Sequence, residues 1–263
     1  MIKTIPRHFS HVCTQRYQSL GFTKSKVTFA RIKGDVIQAF TLRYFRDRPT
    51  CSVEFGVFPL CLPQPIVLEA GGYELDEFLF DPQKGRSGWT FDAASDESVI
   101  TCVESMCQTL DLHLIPFFER CDDCKAALPA MIELEELFES NRQKYLSLLG
   151  ETDCAVPWQE RSLFDYRKYY MALKTHNLPY AQQFLNYQIN YYEKRLKSFA
   201  EPDAPKQPDA VIEGFSIRLG VYEQQRNWLD SGDFSRFDEQ LRANEKAMYE
   251  FLAARYPKVH GNL

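Results

Sequence analysis

The sequence predicts an α+β fold, in which an N-terminal antiparallel meander sheet with helices packed on one face precedes a C-terminal all-α region of helical hairpins. Two observations predict it. Three apolar runs with strand periodicity follow one another within the first sixty residues, separated by short turns. From residue 153 onward the chain shows amphipathic helical spacing and no strand pattern. We therefore expect an α+β domain over residues 1–152 and a helical domain over residues 153–263.

The first predicted element is a helix. Its apolar residues recur every three or four positions and form one stripe: Phe9, Val12, Cys13, Tyr17 and Leu20. Gly21 follows directly, at the position where a residue in the left-handed conformation ends many helices. The helix should therefore end just before this glycine.

Three strands should follow this helix as an antiparallel meander. Two of them, residues 27–32 and 36–46, flank the turn Lys33-Gly34-Asp35, which is typical of a hairpin. Shorter strands are expected within residues 73–80 and 88–91. The third long strand, residues 51–58, alternates so that four side chains share one face: Cys51, Val53, Phe55 and Val57.

Two helices complete the predicted first domain. Asp96 is expected to cap the first of them, whose apolar stripe runs as far as Leu114. Pro116 should end this helix, because proline disfavours helical geometry in the residue before it. Pro129 suits the first turn of the second helix, which Gly150 should close.

The C-terminal domain should contain four amphipathic helices in repeat-like helical hairpins. Residues 172–185 resemble residues 227–241, since each segment combines a helix end, a short turn and a new helix. Their offset of about 56 residues exceeds the ~34-residue tetratricopeptide period, so no repeat array is predicted. Residues 201–209 hold three prolines and no apolar anchor, and we expect them to form an exposed linker.

The distribution of charge bears on the class of partner. A net charge of −5 argues against general nucleic-acid binding, which needs a basic surface. Residues 1–48 nevertheless hold ten Lys/Arg against two Asp/Glu, whereas residues 111–139 hold eight Asp/Glu against two Lys/Arg. Two interpretations are open. Either the two segments face each other in the fold, or the first forms a basic binding face.

The sequence predicts a cytoplasmic protein with no membrane partner. No apolar run approaches the ~20 residues needed to span a bilayer. The N-terminal segment MIKTIPRHFSHVC lacks the long apolar core of a secretory signal. Several of the eight cysteines lie inside apolar periodic runs, as expected for reduced thiols that serve as small core residues.

The motif Cys121-Asp122-Asp123-Cys124 has a functional and a structural interpretation. A CxxC pair can bind zinc or form a redox disulfide, but zinc would need two further ligands at matching spacing. The sequence contains no second CxxC, no HxxxH and no CxxH. The two aspartates would also destabilise a thiolate. We expect two ordinary cysteines near a helix start, and neither a metal nor a cofactor is predicted.

The other candidate groups are weaker. His8 and His11 lie three residues apart on the first helix, which offers no carboxylate to complete a metal site, so surface positions are expected. His113 lies beside core residues and is expected to be a satisfied buried or boundary imidazole rather than a base. One carboxylate cluster should be the solvated face of a helix: Glu133, Glu136 and Glu139.

No nucleotide or nucleophile motif supports an enzymatic reaction. The patterns GxxxxGK[ST], GxGxxG, GxSxG and HExxH are absent from the sequence. Residues 42–48 (LRYFRDR) interleave basic and aromatic side chains, as single-stranded nucleic-acid binders do. Strand alternation puts Arg43 and Arg46 on opposite faces, however, so this strand alone cannot form one basic patch.

Residues 21–61 carry a family resemblance, in the sequence GFTKSKVTFARIKGDVIQAFTLRYFR…CSVEFGVFPLC. The glycine-phenylalanine-lysine opening, the TF strand, the GD turn, the long second strand and the FGVF strand resemble the uncharacterised bacterial family called domain of unknown function 4304. GWTF (88–91) and LIPFFE (114–119) are similar to later segments of that family, so the resemblance covers roughly residues 5–150. It implies a bacterial, cytoplasmic protein, and no activity or catalytic residue.

Two functions are therefore weighed. The first is a non-catalytic protein-interaction module, because catalytic patterns are missing and helical hairpins commonly hold partners. The alternative is an enzyme or small-ligand-binding protein with a pocket between sheet and helices. An apolar groove on the C-terminal helices would favour the first, and a deep pocket with two or more convergent ionisable groups would favour the second.

All eight thiols are expected to be free in the purified chain. Labelling with a thiol reagent under denaturing, non-reducing conditions should report eight reactive groups. Recovery of six or fewer would show that disulfides exist and would contradict the cytoplasmic assignment.

Overall fold

The computed structural model describes residues 4–44, 48–63, 72–80, 88–149, 165–201, 205 and 207–260. The chain divides into two compact units, one made of Met1–Asp153 with Asn244–Leu263 and the other of Cys154–Ala243. The predicted α+β class is confirmed, since the N-terminal strands form an antiparallel sheet and the C-terminal elements are helices. The predicted transition between the two parts, near residue 152, falls outside the described residues.

The first unit contains a six-stranded sheet within its described residues. Strands β1 to β5 pair in chain order, and β6 pairs with β4, all of them antiparallel. The elements follow in the order α1 (Ile5–Tyr17), a 3₁₀ turn (Gln18–Leu20), β1 (Thr23–Ser25), β2 (Thr28–Lys33), β3 (Val36–Tyr44), β4 (Thr50–Pro59), β5 (Tyr73–Glu74), a 3₁₀ turn (Leu75–Leu79), β6 (Trp89–Thr90), α2 (Asp96–Thr109), a π-helical segment (Leu110–Leu114), α3 (Ile115–Glu119) and α4 (Cys124–Leu149).

The C-terminal elements are helices throughout the described residues. They are α5 (Tyr166–Lys174), α6 (Leu178–Phe199), α7 (Asp209–Ser231), α8 (Ser235–Arg255) and α9 (Pro257–His260). The described residues of the expected linker before α7 lie outside any helix or strand. None of the described helices is both long and apolar enough to cross a membrane.

The start of the predicted meander forms as the sequence indicates. Gly21 has φ of 85° and ends the helical segment in the left-handed conformation. Lys33 pairs with Val36, so the predicted hairpin has the two-residue loop Gly34-Asp35. Every residue from 36 to 42 is buried, which means that both faces of β3 are covered.

Residues 244–263 belong to the first unit, although the sequence assigned all of residues 153–263 to the helical domain. Helix α9 packs against β1 and β2. The Asn244 Nδ2 donates a hydrogen bond to the Cys61 carbonyl at 3.0 Å. The boundary between the units therefore falls inside α8. Amphipathic spacing predicted this helix correctly, but it carries no information on which core the helix joins.

The cap of α2 is Ser95 rather than Asp96, so that prediction was wrong by one residue. The Ser95 Oγ accepts a hydrogen bond from the Ser98 N–H at 3.2 Å. Serine and aspartate are comparable caps, and two candidates in succession cannot be separated by propensity. Asp96 instead occupies the first turn, where the positive end of the helix dipole stabilises its negative charge.

Pro116 does not end the helix, because a π-helical segment accommodates it. Leu110–Leu114 continues directly from α2 and leads into α3, where Pro116 lies in the first turn. The Ile115 N–H donates to the Leu110 carbonyl, five residues back. Pro116 thereby falls in the first turn of α3, where the N–H that proline lacks has no partner within the helix in any case. The stop predicted at this residue was therefore wrong.

Pro129 lies inside α4 rather than in its first turn, which was also predicted incorrectly. The helix begins at Cys124, and Asp123 caps it by accepting the Ala126 N–H at 2.8 Å. Pro129 removes one N–H that would have reached the carbonyl of Lys125. Both of these residues are exposed, so water can bind that carbonyl.

The core between α1 and the sheet is an aromatic cluster centred on Phe40. Its ring centroid lies 5.2 Å from Phe29, 5.4 Å from Phe22, 5.6 Å from Tyr17 and 6.4 Å from Phe9. All five rings are buried. Contacts of this kind add to the free energy gained by burying large rings, so this cluster anchors α1 on the sheet.

The core of the helical unit joins α5, α6 and α7. The Tyr169 ring stacks on Phe184 at 4.4 Å, and the Tyr169 hydroxyl donates to the Gln225 Oε1 at 3.1 Å. On the far part of α6, Tyr192 packs against Phe215 at 5.2 Å. Ala181, Leu185, Ile189 and Tyr192 of α6 are buried. Tyr222 and Phe215 of α7 contact the rings of Phe184 and Tyr192 on α6.

Replacement of Phe40 by alanine should strongly destabilise the chain. We expect Phe40→Ala to lower the free energy of unfolding by about 3–5 kcal/mol, because a cavity opens at the centre of the cluster. Tyr44→Ala, on the exposed end of the same strand, should cost about 1 kcal/mol or less. Urea unfolding followed by circular dichroism compares the two midpoints. Equal midpoints would contradict the central position of Phe40.

Candidate functional site

The CxxC motif lies where the β2–β3 hairpin contacts the turn between α3 and α4, here called the hairpin corner (residues 31–38 and 118–124). The Cys124 N–H donates to the Asp35 Oδ1 at 2.7 Å. Gly34 has φ of 56°, and a Cβ there would lie 2.5 Å from the Asp122 carbonyl oxygen. Only glycine fits this loop position without displacing the turn.

The buried amide of Gln38 connects the two sides of the hairpin corner. Its Nε2 donates to the Phe118 carbonyl at 2.6 Å and to the Cys121 carbonyl at 2.9 Å. Its Oε1 accepts from the Arg31 Nε at 2.6 Å. Gln38 has no exposed surface, so these three bonds replace the water that its polar atoms lose on folding.

Ion pairs at the hairpin corner join the basic and acidic segments. The Arg31 guanidinium contacts the Glu119 carboxylate at 2.6 Å, although only 8% of the Arg31 side chain is exposed. The Lys33 Nζ lies 2.7 Å from Glu119 and 2.7 Å from Asp122. Hydrogen bonds from Lys33, and then from Arg31, hold the pKa of Glu119 below its usual value.

A second group of contacts joins the same two segments. The Arg16 Nη1 contacts the Asp111 carboxylate at 2.8 Å, and the Tyr17 hydroxyl donates to that carboxylate at 2.9 Å. Residues 1–48 and 111–139 therefore face each other, which confirms the first interpretation of the charge distribution. Cations that these carboxylates bind are less available to an anionic partner.

The two CxxC thiols are not poised for redox chemistry with each other. Burial raises the pKa of Cys121 to about 12. A side-chain hydrogen bond with Cys61, together with burial, raises the pKa of Cys124, and the Cys124 Sγ also contacts the Asp35 carbonyl at 3.8 Å. Both thiols stay protonated at neutral pH, where a thiolate is the reactive form.

The described residues offer no metal site. No group of three or more His, Cys, Asp or Glu side chains among them is placed to hold a metal ion. On α1, partial burial and then the charge of His11 lower the pKa of His8. His113 is exposed rather than buried or at the boundary, so that expectation was wrong. Its ring stacks on Phe78 at 5.2 Å from the outer side of the π-helical segment.

The acidic helix face and the basic strand end take part in surface ion pairs. Glu133 on α4 pairs with Arg120. Arg43 on β3 pairs with Glu54 on β4 at 2.7 Å. Arg46, the other cation weighed on that strand, lies outside the described residues. Such exposed pairs contribute little to stability and do not form a binding patch.

Clefts formed by described residues of the first unit include two of similar volume. The hairpin cleft, of about 580 Å³, lies between residues 18–23 and 31–33. Its Arg31 and Lys33 both bind Glu119 within the chain. The β6–α2 cleft, of about 540 Å³, lies between residues 88–90 and 95–105, and Cys102 lines it. The Trp89 indole donates to the Ser105 hydroxyl at 3.2 Å.

One side of α7 carries apolar residues that face solvent. We call Val211, Gly214, Ile217 and Val221 the open stripe. Ile217 is 60% exposed, Val221 46% and Val211 37%, and nothing lies within 4 Å of a Cβ built at Gly214. This stripe was not predicted from the sequence, where its one signal is that apolar residues occur on both sides of α7.

No protein-family model matches this chain, and neither a curated protein nor a solved structure is significantly similar to it. The resemblance to domain of unknown function 4304 therefore stays a prediction.

Replacement of Glu119 by glutamine should destabilise the chain in a pH-dependent way. The folded-state pKa of Glu119 is lowered, so its contribution to stability is present at neutral pH and is lost as pH falls through that pKa. We expect Glu119→Gln to cost about 0.5–1 kcal/mol at pH 7, the range of half-exposed ion pairs.

The difference from the unsubstituted chain should begin to shrink as pH falls through about 4, the ordinary pKa of a glutamate, and should vanish only below the lowered folded-state pKa. Urea unfolding at several pH values measures this difference in the free energy of unfolding. Glu136→Gln, on an exposed position of α4, is the matched control and should show a smaller effect at all pH values. A loss for Glu119→Gln that does not change with pH would contradict the ion-pair account.

Proposed function

We propose that this chain is a non-catalytic protein-interaction module, and that its open stripe on α7 binds an amphipathic helix of another protein. The observation that carries the proposal is the exposure of Ile217, Val221 and Val211 along one side of a helix. Three exposed apolar side chains on one side of a single helix give a partner helix a surface on which to pack.

The spacing of the open stripe suits a helical partner. Its four residues follow one another at intervals of three, three and four positions, so they stay on one side of α7. The stripe runs from Val211 to Val221, and these ten steps along the helix correspond to about 15 Å. Gly214 lacks a side chain at its centre, which allows the backbone of a second helix to approach closely. Apolar residues at three- and four-residue intervals on the partner would complete the contact.

The size of the open stripe favours a partner helix over a second copy of this chain. A strip about 15 Å long and about 10 Å wide covers on the order of 150 Å², using the helix dimensions. Stable dimers bury about 800 Å² on each side. One docked helix matches the smaller area and gives weak, reversible binding.

The alternative, an enzyme or small-ligand-binding protein with a pocket between sheet and helices, has less support. The β6–α2 cleft has the expected position. The cations of the hairpin cleft, however, are bound to Glu119 and are not directed at a ligand. Convergent ionisable groups are the usual mark of a catalytic pocket.

We also propose a bacterial, cytoplasmic setting without nucleic-acid partners. The seven described cysteines are buried thiols outside any disulfide, and such thiols are typical of reducing compartments. The cations of the basic segment that pair with residues 111–139 are not available to phosphates.

Site-specific crosslinking tests the proposed partner. A photo-crosslinking amino acid placed at position 217 in the native cell should capture a peptide with apolar residues at helical spacing. The matched control places the same group at position 216, which is exposed on the other side of α7. A synthetic copy of the captured helix should bind the purified chain, and Ile217→Glu should weaken its Kd at least about tenfold.

Ser216→Glu introduces the same charge on the same helix and should leave the Kd unchanged. Equal capture from positions 216 and 217 would overturn the proposal. Capture of the same segment from another copy of this chain would replace the partner helix by self-association. Concentration-dependent dimerisation in analytical ultracentrifugation would support that second outcome.

A further inference from the structure

Six of the seven described cysteines of the first unit, all of them buried, lie in three pairs. The Cys51 and Cys102 sulfurs are 3.7 Å apart, and the Cys13 and Cys107 sulfurs are 3.9 Å apart. Cys61 and Cys124 share a side-chain hydrogen bond. A disulfide needs about 2 Å between its sulfurs, so each measured pair is within reach of a bond after a small movement.

The pairs differ in access from solvent. Cys13 and Cys107 have no exposed surface, whereas Cys102 is 5% exposed and lies in the wall of the β6–α2 cleft. The cleft lining also contains the hydroxyl groups of Thr101 and Ser105. A small polar oxidant could therefore reach the Cys102 sulfur and form hydrogen bonds next to it.

The environment of Cys102 also favours its thiolate. A hydrogen bond from Cys51 lowers the pKa of Cys102, against the effect of burial, and the pKa of Cys51 is raised in turn. The same arrangement lowers the pKa of Cys107. The cleft is thus the feature that distinguishes Cys102 from the sealed pair.

We propose that Cys51 and Cys102 form a dithiol that hydrogen peroxide oxidises, with Cys102 as the attacking sulfur and Cys51 as the resolving thiol. The proposal concerns the first unit and does not rest on the interaction assigned to α7. It assigns the β6–α2 cleft as the entry site for the oxidant.

The reaction balances in two steps. The Cys102 thiolate attacks one peroxide oxygen, the O–O bond breaks, and the released hydroxide takes a proton to become water, which leaves a sulfenic acid on Cys102. The Cys51 sulfur then attacks the Cys102 sulfur, the S–O bond breaks, and the proton of Cys51 leaves with the hydroxyl as a second water. The two thiols lose two electrons and two hydrogens, and the peroxide is reduced to water.

The disulfide would link β4 to α2. In the reduced chain the Cys51 Sγ also lies 3.9 Å from the Trp89 carbonyl and 3.9 Å from the Met106 sulfur. Cys51 and Trp89 are paired in the sheet. Movement of the Cys51 sulfur toward Cys102 would therefore change the contacts at the β6 side of the cleft.

Peptide mapping of the full chain tests the proposal without any substitution. The reduced, folded chain is treated with hydrogen peroxide, alkylated and digested without reduction. We expect a crosslinked peptide containing Cys51 and Cys102, formed at least about tenfold faster than any link between Cys13 and Cys107, because access limits oxidation of sealed thiols. An equal rate for the sealed pair, or no crosslink until the chain is unfolded, would overturn the proposal.

Two substitutions separate the roles of the sulfurs. Cys51→Ser should leave a sulfenic acid on Cys102, which dimedone traps, whereas Cys102→Ser should abolish trapping. Cys13→Ser is the matched control at a sealed pair, and it should leave the Cys51–Cys102 crosslink unchanged. Circular dichroism confirms that each variant is folded. Dimedone on a different cysteine of Cys51→Ser would contradict the assignment of Cys102.

Discussion

The hydrogen bonds of the buried Gln38 amide hold the sheet of the first unit to the turn between α3 and α4. Two of them go from its Nε2 to the carbonyls of Phe118 and Cys121, and one comes from Arg31. A buried amide that lost these partners would cost more free energy than the bonds themselves contribute. The hairpin corner can therefore form only with this register between strand and turn.

This constraint determines the roles of the charged and thiol groups nearby. Arg31 lies beside Gln38, and this places its guanidinium on Glu119. The same approach brings Asp35 to the N–H of Cys124. Groups that resemble a basic binding face or a redox motif in the sequence thus serve the packing of the first unit. The surfaces with functional potential lie elsewhere, at the open stripe of α7 and at the β6–α2 cleft.

Periodicity was sufficient to predict β4, because Cys51, Val53 and Phe55 are buried and the residues between them are half-buried. It does not describe β3, which is buried on both faces from residue 36 to residue 42. It failed at Pro116, because a π-helical turn depends on local backbone geometry that propensity does not encode. It also could not pair Cys51 with Cys102, since nothing in the sequence relates positions 51 residues apart.

The open stripe shows a further limit of sequence reasoning. Residues on both sides of α7 are apolar, so spacing alone does not show that the side of Ile217 is also an apolar surface. In the structure Phe215 and Tyr222 contact α6, so their side of α7 packs in the core. Ile217 is left exposed as a result. Only tertiary structure separates a core stripe from a contact surface.

The central claim is that the polar groups of the hairpin corner serve folding, and a double-mutant cycle on Gln38 and Arg31 tests it most directly. The free energies of unfolding of Gln38→Leu, Arg31→Leu and the double variant are compared with that of the unsubstituted chain. Each single change leaves the other buried side chain without a hydrogen-bond partner. The free energy of unfolding lost in the double variant should therefore be smaller than the sum of the two single losses, by about 1 kcal/mol or more. Losses that simply add would show that the two side chains are not coupled and would contradict the account.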